Sequence, residues 1–221
     1  MSVEINVIIG ITIPLLLLFL VVDRKAKIPV GFLIVGFFAC CIAAYLSAAI
    51  AAAYDYTSIE LARYVAPVVE ETIKVLPVML FILLRKPDIR TAFMAAAAVG
   101  VGFATIENIL YFMSFDVSNF GFVLIRGLST GIMHVMTVLL VTLVLYQVMR
   151  VGALRYIVVL ISVLAFATTF HGLYNLLVNS ASVVAVTIGY IIPPVFAVIF
   201  LIYLLHTDIG KFFARLQNRQ P

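Results

Sequence analysis

Charged side chains are scarce in this chain, because Asp, Glu, Lys and Arg make up only 11% of its 221 residues. Soluble domains carry about 25% charged residues, and one of this length could not bury an apolar share of 65%. The shortage therefore excludes an ordinary water-soluble globular protein. Unbroken apolar runs recur instead, at the length of about 20 residues that crosses a bilayer. Lipid is the expected solvent of most of the chain.

Other features are also missing. The glycines are spread along the apolar runs, so no glycine-rich loop predicts a nucleotide site. The net charge of +4 lies in short loops between the runs, which indicates membrane orientation and no nucleic-acid partner. The two cysteines, Cys40 and Cys41, are adjacent in one run, where their side chains point about 100° apart and cannot readily form a disulfide.

Seven apolar runs predict an all-α fold, a polytopic bundle of about seven transmembrane helices. The runs are 4–22, 29–53, 63–84, 91–113, 122–148, 156–178 and 183–205. The loops between them are too short for a soluble domain, so we expect a single transmembrane helical domain over residues 1–221. This organisation predicts a multi-pass protein of the cell membrane, in direct contact with the lipid bilayer.

Basic residues lie on one side of the predicted bundle. They follow the odd-numbered runs, at Arg24, Lys25, Lys27, Arg85, Lys86, Arg90, Arg150, Arg155, Lys211, Arg215 and Arg219. The connections after even-numbered runs carry mainly Asp55, Glu60 and Asp116. Because basic loops stay in the cytoplasm, we expect the N-terminus outside and the C-terminus inside.

Ionisable and amide side chains interrupt the third to sixth runs, where a charged group costs about 2.5–3.5 kcal/mol to insert. They are Glu70, Glu71, Lys74, Glu107, Asn108, Arg126, His134, His171 and Asn175. With neighbouring helices antiparallel, the glutamates and His171 lie about 9 to 12 Å below the outer surface. His134 lies at about 18 Å, or level with them if the fifth crossing begins after Arg126. This shared depth predicts one pocket in the outer half of the bundle.

Some of these residues have plain structural explanations. Lys74, one turn from Glu70, is expected to neutralise a carboxylate, and Arg126, near a helix end, to extend towards the membrane surface. Pro67 and Pro77 are expected to loosen the third helix. Small residues are expected to let helices pack closely, at Ala95, Ala96, Ala97, Ala98, Gly100, Gly102, Gly127 and Gly131.

Four short motifs occur in a fixed order along the third to sixth runs. They are Glu70-Glu71-x-x-Lys74, Phe103-x-x-x-Glu107-Asn108, His134 followed by Thr137, and His171-x-x-x-Asn175. Together they resemble the motifs of PrsW-type intramembrane proteases, a family similar to the CAAX prenyl proteases and to the seven-helix scaffold subunit of gamma-secretase. The resemblance implies hydrolysis of a transmembrane protein substrate near the extracytoplasmic surface, in some members an anti-sigma factor. The second motif ends in Glu107, where the prenyl proteases have histidine.

The leading hypothesis is peptide hydrolysis by a water that Glu70 or Glu71 deprotonates, with a histidine sharing the proton. His171 and Asn175, on one helical face, are candidate donors to the oxyanion. The candidate catalytic residues are Glu70, Glu71, Glu107, His134, His171 and Asn175, and the supporting residues are Lys74, Phe103 and Asn108. No serine competes convincingly, because Ser129 lies five residues from His134, on another face of the helix.

Three alternatives stay open. A divalent metal such as zinc is possible, because Glu107, His134 and His171, with one of the paired glutamates, supply ligands that zinc accepts. No His-Glu-x-x-His motif supports it, so no cofactor is assigned. A proton-coupled transporter would also hold buried carboxylates, although no internal repeat is visible. A noncatalytic membrane scaffold is disfavoured by the retention of both Glu70 and Glu71.

Overall fold

The computed structural model describes residue 13 and residues 28–115, 119–149 and 152–206. Its helices are α1 Ile28–Tyr54, α2 Ser58–Glu60, α3 Ala66–Arg85, α4 Ile89–Ser114, α5 Phe120–Val148, α6 Ala153–Val178 and α7 Val183–His206. A π-helical turn, Leu61–Val65, joins α2 to α3. Five of these helices, namely α1 and α4 to α7, are long and apolar enough to cross a membrane. The prediction of an all-α membrane protein is confirmed.

Each predicted run from 29–53 to 183–205 coincides with one helix of the described ranges. The run 4–22 falls almost wholly outside them, so the count of seven stays a prediction. The predicted orientation and single domain also stay predictions. Several charged residues used for the orientation lie outside the described residues, namely Arg24, Lys25, Lys27, Asp116, Arg150, Lys211, Arg215 and Arg219.

Helix α3 differs from the other long helices because Glu70, Glu71 and Lys74 interrupt its apolar residues. It packs against α1, α4, α5 and α6, so protein surrounds much of its surface. Glu71 and Lys74 are fully buried as a result. Glu71 and Lys74 therefore point into the bundle, as the cost of exposing a charge to lipid requires.

The start of α3 is irregular, and Pro67 explains why. The N–H of Ala66 donates to the carbonyl of Leu61, five residues back instead of four. Pro67 has no N–H, so it cannot donate to the carbonyl of Ala62. The side-chain amide of Asn175, on α6, donates to that carbonyl at 2.9 Å. This bond joins α6 to the chain just before α3 begins.

Small residues bring α1, α4 and α5 into close contact. A Cβ atom at Gly36 would collide with the carbonyl of Val99, and one at Gly102 with the carbonyl of Leu33. A Cβ at Gly100 would lie 2.8 Å from Cα of Val135. Buried apolar side chains fill the space beside these crossings, among them Ala92, Ala96, Val99, Val138 and Leu143. The prediction that the small residues of the fourth run serve packing is confirmed.

Candidate active site

Helices α3 to α6 bring their ionisable side chains into one connected group. Its members are Glu70, Glu71, Lys74, Glu107, Arg126, His134 and His171. Glu71, Lys74 and His134 are 0% exposed, and His171 is 1% exposed. Groups buried this deeply are stable only where hydrogen bonds and opposite charges compensate them, so their partners define what the group can do.

Lys74 lies at the centre of this group. Its Nζ is 2.6 Å from Oε1 of Glu71 and 2.6 Å from Nδ1 of His134. It also lies 4.8 Å from the centre of the Phe103 ring, which gives Phe103 a supporting contact. The expectation that Lys74 neutralises a carboxylate is confirmed, but its partner is Glu71 and not Glu70.

His134 has no free ring nitrogen. A charged lysine only donates hydrogen bonds, so Nδ1 of His134 accepts from Lys74 and its proton lies on Nε2. That Nε2–H donates to Oε2 of Glu107. The hydroxyl of Thr137, one turn on, donates to the backbone carbonyl of His134 at 3.1 Å. His134 is therefore held from both sides in one tautomer.

His171 has one committed and one available ring nitrogen. Its Nδ1–H donates to Oε1 of Glu71 at 2.8 Å. A neutral imidazole then carries its lone pair on Nε2, which lies 3.8 Å from Oε2 of Glu70. That oxygen is buried and has no hydrogen-bond partner among the described residues. Two acceptors that face each other in this way favour a shared proton, water or cation.

A cavity of about 500 Å³ reaches Glu70, one member of this pair. Glu70 and Glu107 line it, and so do Ser58, Phe115 and Asn179, which lie near helix ends. The predicted orientation places these helix ends on the outer side of the membrane. The cavity thus lies between the Glu70 carboxylate and the outer side of the membrane, where the shared depth of the polar residues predicts the pocket.

Two arginines, Arg63 and Arg126, also line the cavity, and neither is among the site residues predicted from the sequence. Arg126 was expected to extend to the membrane surface, which is wrong, because it is only 6% exposed. Its guanidinium stacks 3.4 Å from the Tyr111 ring centre, and its Nη2 lies 3.5 Å from Oε1 of Glu107. Nε of Arg126 and Nε of Arg63 are buried without a partner in the described chain. Arg126 precedes His134 by eight residues, a spacing that already placed both on one helical face.

The two asparagines of the motifs have different surroundings. Asn175 lines the cavity, but one of its amide N–H groups is committed to the Ala62 carbonyl. Asn108 is fully buried, and neither its Oδ1 nor its Nδ2 has a partner in the part of the chain that the structure describes. Asn175 is thus the only one of the two placed to meet a ligand in the cavity.

Glu70, His134 and His171 also form a group that could hold a metal ion. One ligand atom from each lies within 4.8 Å of the others. In comparison with known families, residues 25–205 match the model of the PrsW family intramembrane metalloprotease. The chain belongs to the PrsW family. No curated protein and no solved structure matches it. Membership makes this chain one of a family of intramembrane proteases.

The PrsW family description raises the question of whether these residues fit a metal. His171 fits well, since Nε2 is available and Nδ1–H donates to Glu71, the carboxylate support typical of metal-bound histidines. Glu70 fits, since its Oε2 lacks another partner. His134 fits only after one ring nitrogen leaves its partner. Glu107, a metal candidate in the sequence, is outside this group and instead bonds His134 and Arg126.

Proposed function

We propose that this protein hydrolyses a peptide bond of a membrane-protein substrate at the Glu70–His171 pair. The facing pair, Oε2 of Glu70 and Nε2 of His171 at 3.8 Å, is the observation that carries the proposal. A water between them donates one proton to each acceptor, or loses one to Glu70 as it attacks. In this proposal, water and an extended segment of substrate reach Glu70 through the cavity of about 500 Å³ that it lines.

The neighbouring residues have supporting roles in this mechanism. Glu71 orients His171 through Nδ1–H, so that Nε2 faces the water. Lys74 neutralises Glu71 and leaves Glu70 as the carboxylate without a lysine partner. Glu70 takes a proton from the water, whose oxygen bonds to the scissile carbonyl carbon. The same proton then passes to the leaving amine as the C–N bond breaks, which completes a balanced hydrolysis.

Arg126 is the strongest candidate for stabilising the oxyanion that forms on the carbonyl. It lines the cavity with Glu70, carries a positive charge and has an unpartnered Nε. Asn175 contributes its remaining amide N–H from helix α6. Because charged donors in a buried site stabilise developing negative charge strongly, Arg126 adds to the Asn175 donor that the sequence suggested. His171 does not take the donor role suggested from the sequence, because its Nδ1–H donates to Glu71 and its Nε2 is an acceptor.

A metal-dependent form of the same hydrolysis is the second candidate. It is favoured by the 4.8 Å grouping of Glu70, His134 and His171 and by the family description. A bound zinc ion would supply a more acidic water and polarise the carbonyl. Glu70 and His171 would hold it directly, and Glu71 would keep His171 oriented.

The test is cleavage of a single-pass membrane protein by the purified protein in liposomes, with an anti-sigma factor as the first substrate. Wild-type protein should cleave, and Glu70→Gln should lose roughly 10²- to 10⁴-fold in rate. Glu60→Gln is the matched control, because Glu60 is an exposed glutamate outside the buried group. Hydrogen bonds from Thr57 lower the pKa of its carboxyl, so this substitution removes a negative charge away from the site. Chelation before the assay separates the two candidates. A transporter or a scaffold would cleave nothing, and Glu70→Gln at the wild-type rate would reject the assignment.

A further inference from the structure

Lys74 occupies a position that conflicts with metal binding by His134. It is fully buried, and its Nζ lies 2.6 Å from Nδ1 of His134. A neutral histidine binds a metal through one nitrogen and keeps its proton on the other. If Nδ1 bound the metal, Lys74 and the metal would compete for one lone pair. If Nε2 bound it, the proton would move to Nδ1 and face an ammonium group that only donates.

Either choice of nitrogen therefore requires the same movement. We propose that Lys74 is an internal cation that must leave His134 before a metal ion can bind Glu70, His134 and His171 together. This inference rests on the proposed hydrolytic site, and it concerns how that site is regulated. Until Lys74 leaves, Glu70 and His171 are the two members of this trio that present available ligand atoms.

Charge balance supports the competition. The described carboxylates around the group are Glu70, Glu71 and Glu107, and the cations in contact with them are Lys74 and Arg126. A metal held beside Lys74 would add positive charge to a buried, low-dielectric site, where like charges repel strongly. Removing the lysine charge eases that repulsion and also frees Nδ1 of His134. Both effects favour the metal.

The direct test is zinc affinity, measured by competition with a chromophoric chelator on the purified full chain. Lys74→Met should bind zinc roughly 10- to 100-fold more tightly than wild type. Lys86→Met, the same substitution at an exposed residue, should bind as wild type does. Lys74→Gln keeps a polar side chain without the charge, and it provides the same comparison if Lys74→Met does not fold. Folded Lys74 variants that bind zinc no more tightly than wild type would overturn the inference.

A second measurement uses wild-type protein only. Nitrogen-15 NMR of histidine and lysine side chains should show the His134 and Lys74 signals shifting together as zinc is added. Zinc bound with both signals unchanged would contradict the competition. Failure of either measurement leaves cleavage by wild type and its loss in Glu70→Gln unaffected, so this inference and the proposed function can fail separately.

Discussion

The two ends of the α4–α5 pair are built on different principles. At one end, Ala96, Val99 and Val138 belong to an apolar core, and small residues let the backbones touch. At the other end, Glu107, His134 and Arg126 are joined by hydrogen bonds beside a cavity of about 500 Å³. The apolar end shows that these two helices pack well without any charge. The ionisable groups are therefore not needed for packing, and their insertion cost of about 2.5–3.5 kcal/mol each points to chemistry.

If the polar end carries the chemistry, substitutions there should have the largest effect on the cleavage rate. His171→Asn should lower the cleavage rate by roughly 10²- to 10⁴-fold, because Nε2 then no longer faces the water beside Glu70. The variant should remain folded, as judged by helical content and by elution in detergent. Near-normal cleavage at normal abundance would remove His171 from the catalytic group.

A smaller effect is expected at the rim of the same end. Arg126→Gln should lower kcat by roughly 10²-fold, the usual loss for one oxyanion donor, with less effect on KM. Arg155→Gln is the matched control, because Arg155 is exposed at the start of α6. Equal rates for the two variants would show that Arg126 only balances the charge of Glu107.

At the apolar end the effect should fall on stability instead of activity. Gly36→Ala forces α1 away from the carbonyl of Val99 and should lower the free energy of unfolding by about 1–3 kcal/mol. Gly31→Ala, on the same helix, places its methyl group in open space and should be nearly neutral. Thermal unfolding measures the stability of each variant, and cleavage per folded molecule measures its activity separately. A loss of catalysis in Gly36→Ala would show that the two ends are coupled.

The helices were predictable because bilayer thickness fixes the length of an apolar run, and charged residues inside such runs are conspicuous. The sequence could not predict which groups would pair. Lys74 stands one turn from Glu70, yet it bonds Glu71, because side-chain partners depend on how α3 is rotated against α5 and α6. The π-helical turn Leu61–Val65 precedes α3, and each extra residue in a helical turn rotates the rest of the helix by about 100°.

Arg126 was misread for a related reason. A basic residue near a helix end usually extends to the membrane surface. Here Tyr111 and Glu107 of α4 stand at the same height and hold the guanidinium inside. That contact depends on the relative height of two antiparallel helices, which apolar run boundaries define only within a few residues.

The central claim is that Glu70 and His171 act on one water, and a double-mutant comparison tests it most directly. Cleavage rates of wild type, Glu70→Gln, His171→Asn and the double variant would be measured on one substrate in liposomes. Groups that act as a unit give losses that do not multiply, so the double variant should retain the residual rate of the slower single variant. A double-variant loss equal to the product of the two single losses would mean that the residues act independently, and it would contradict the shared water.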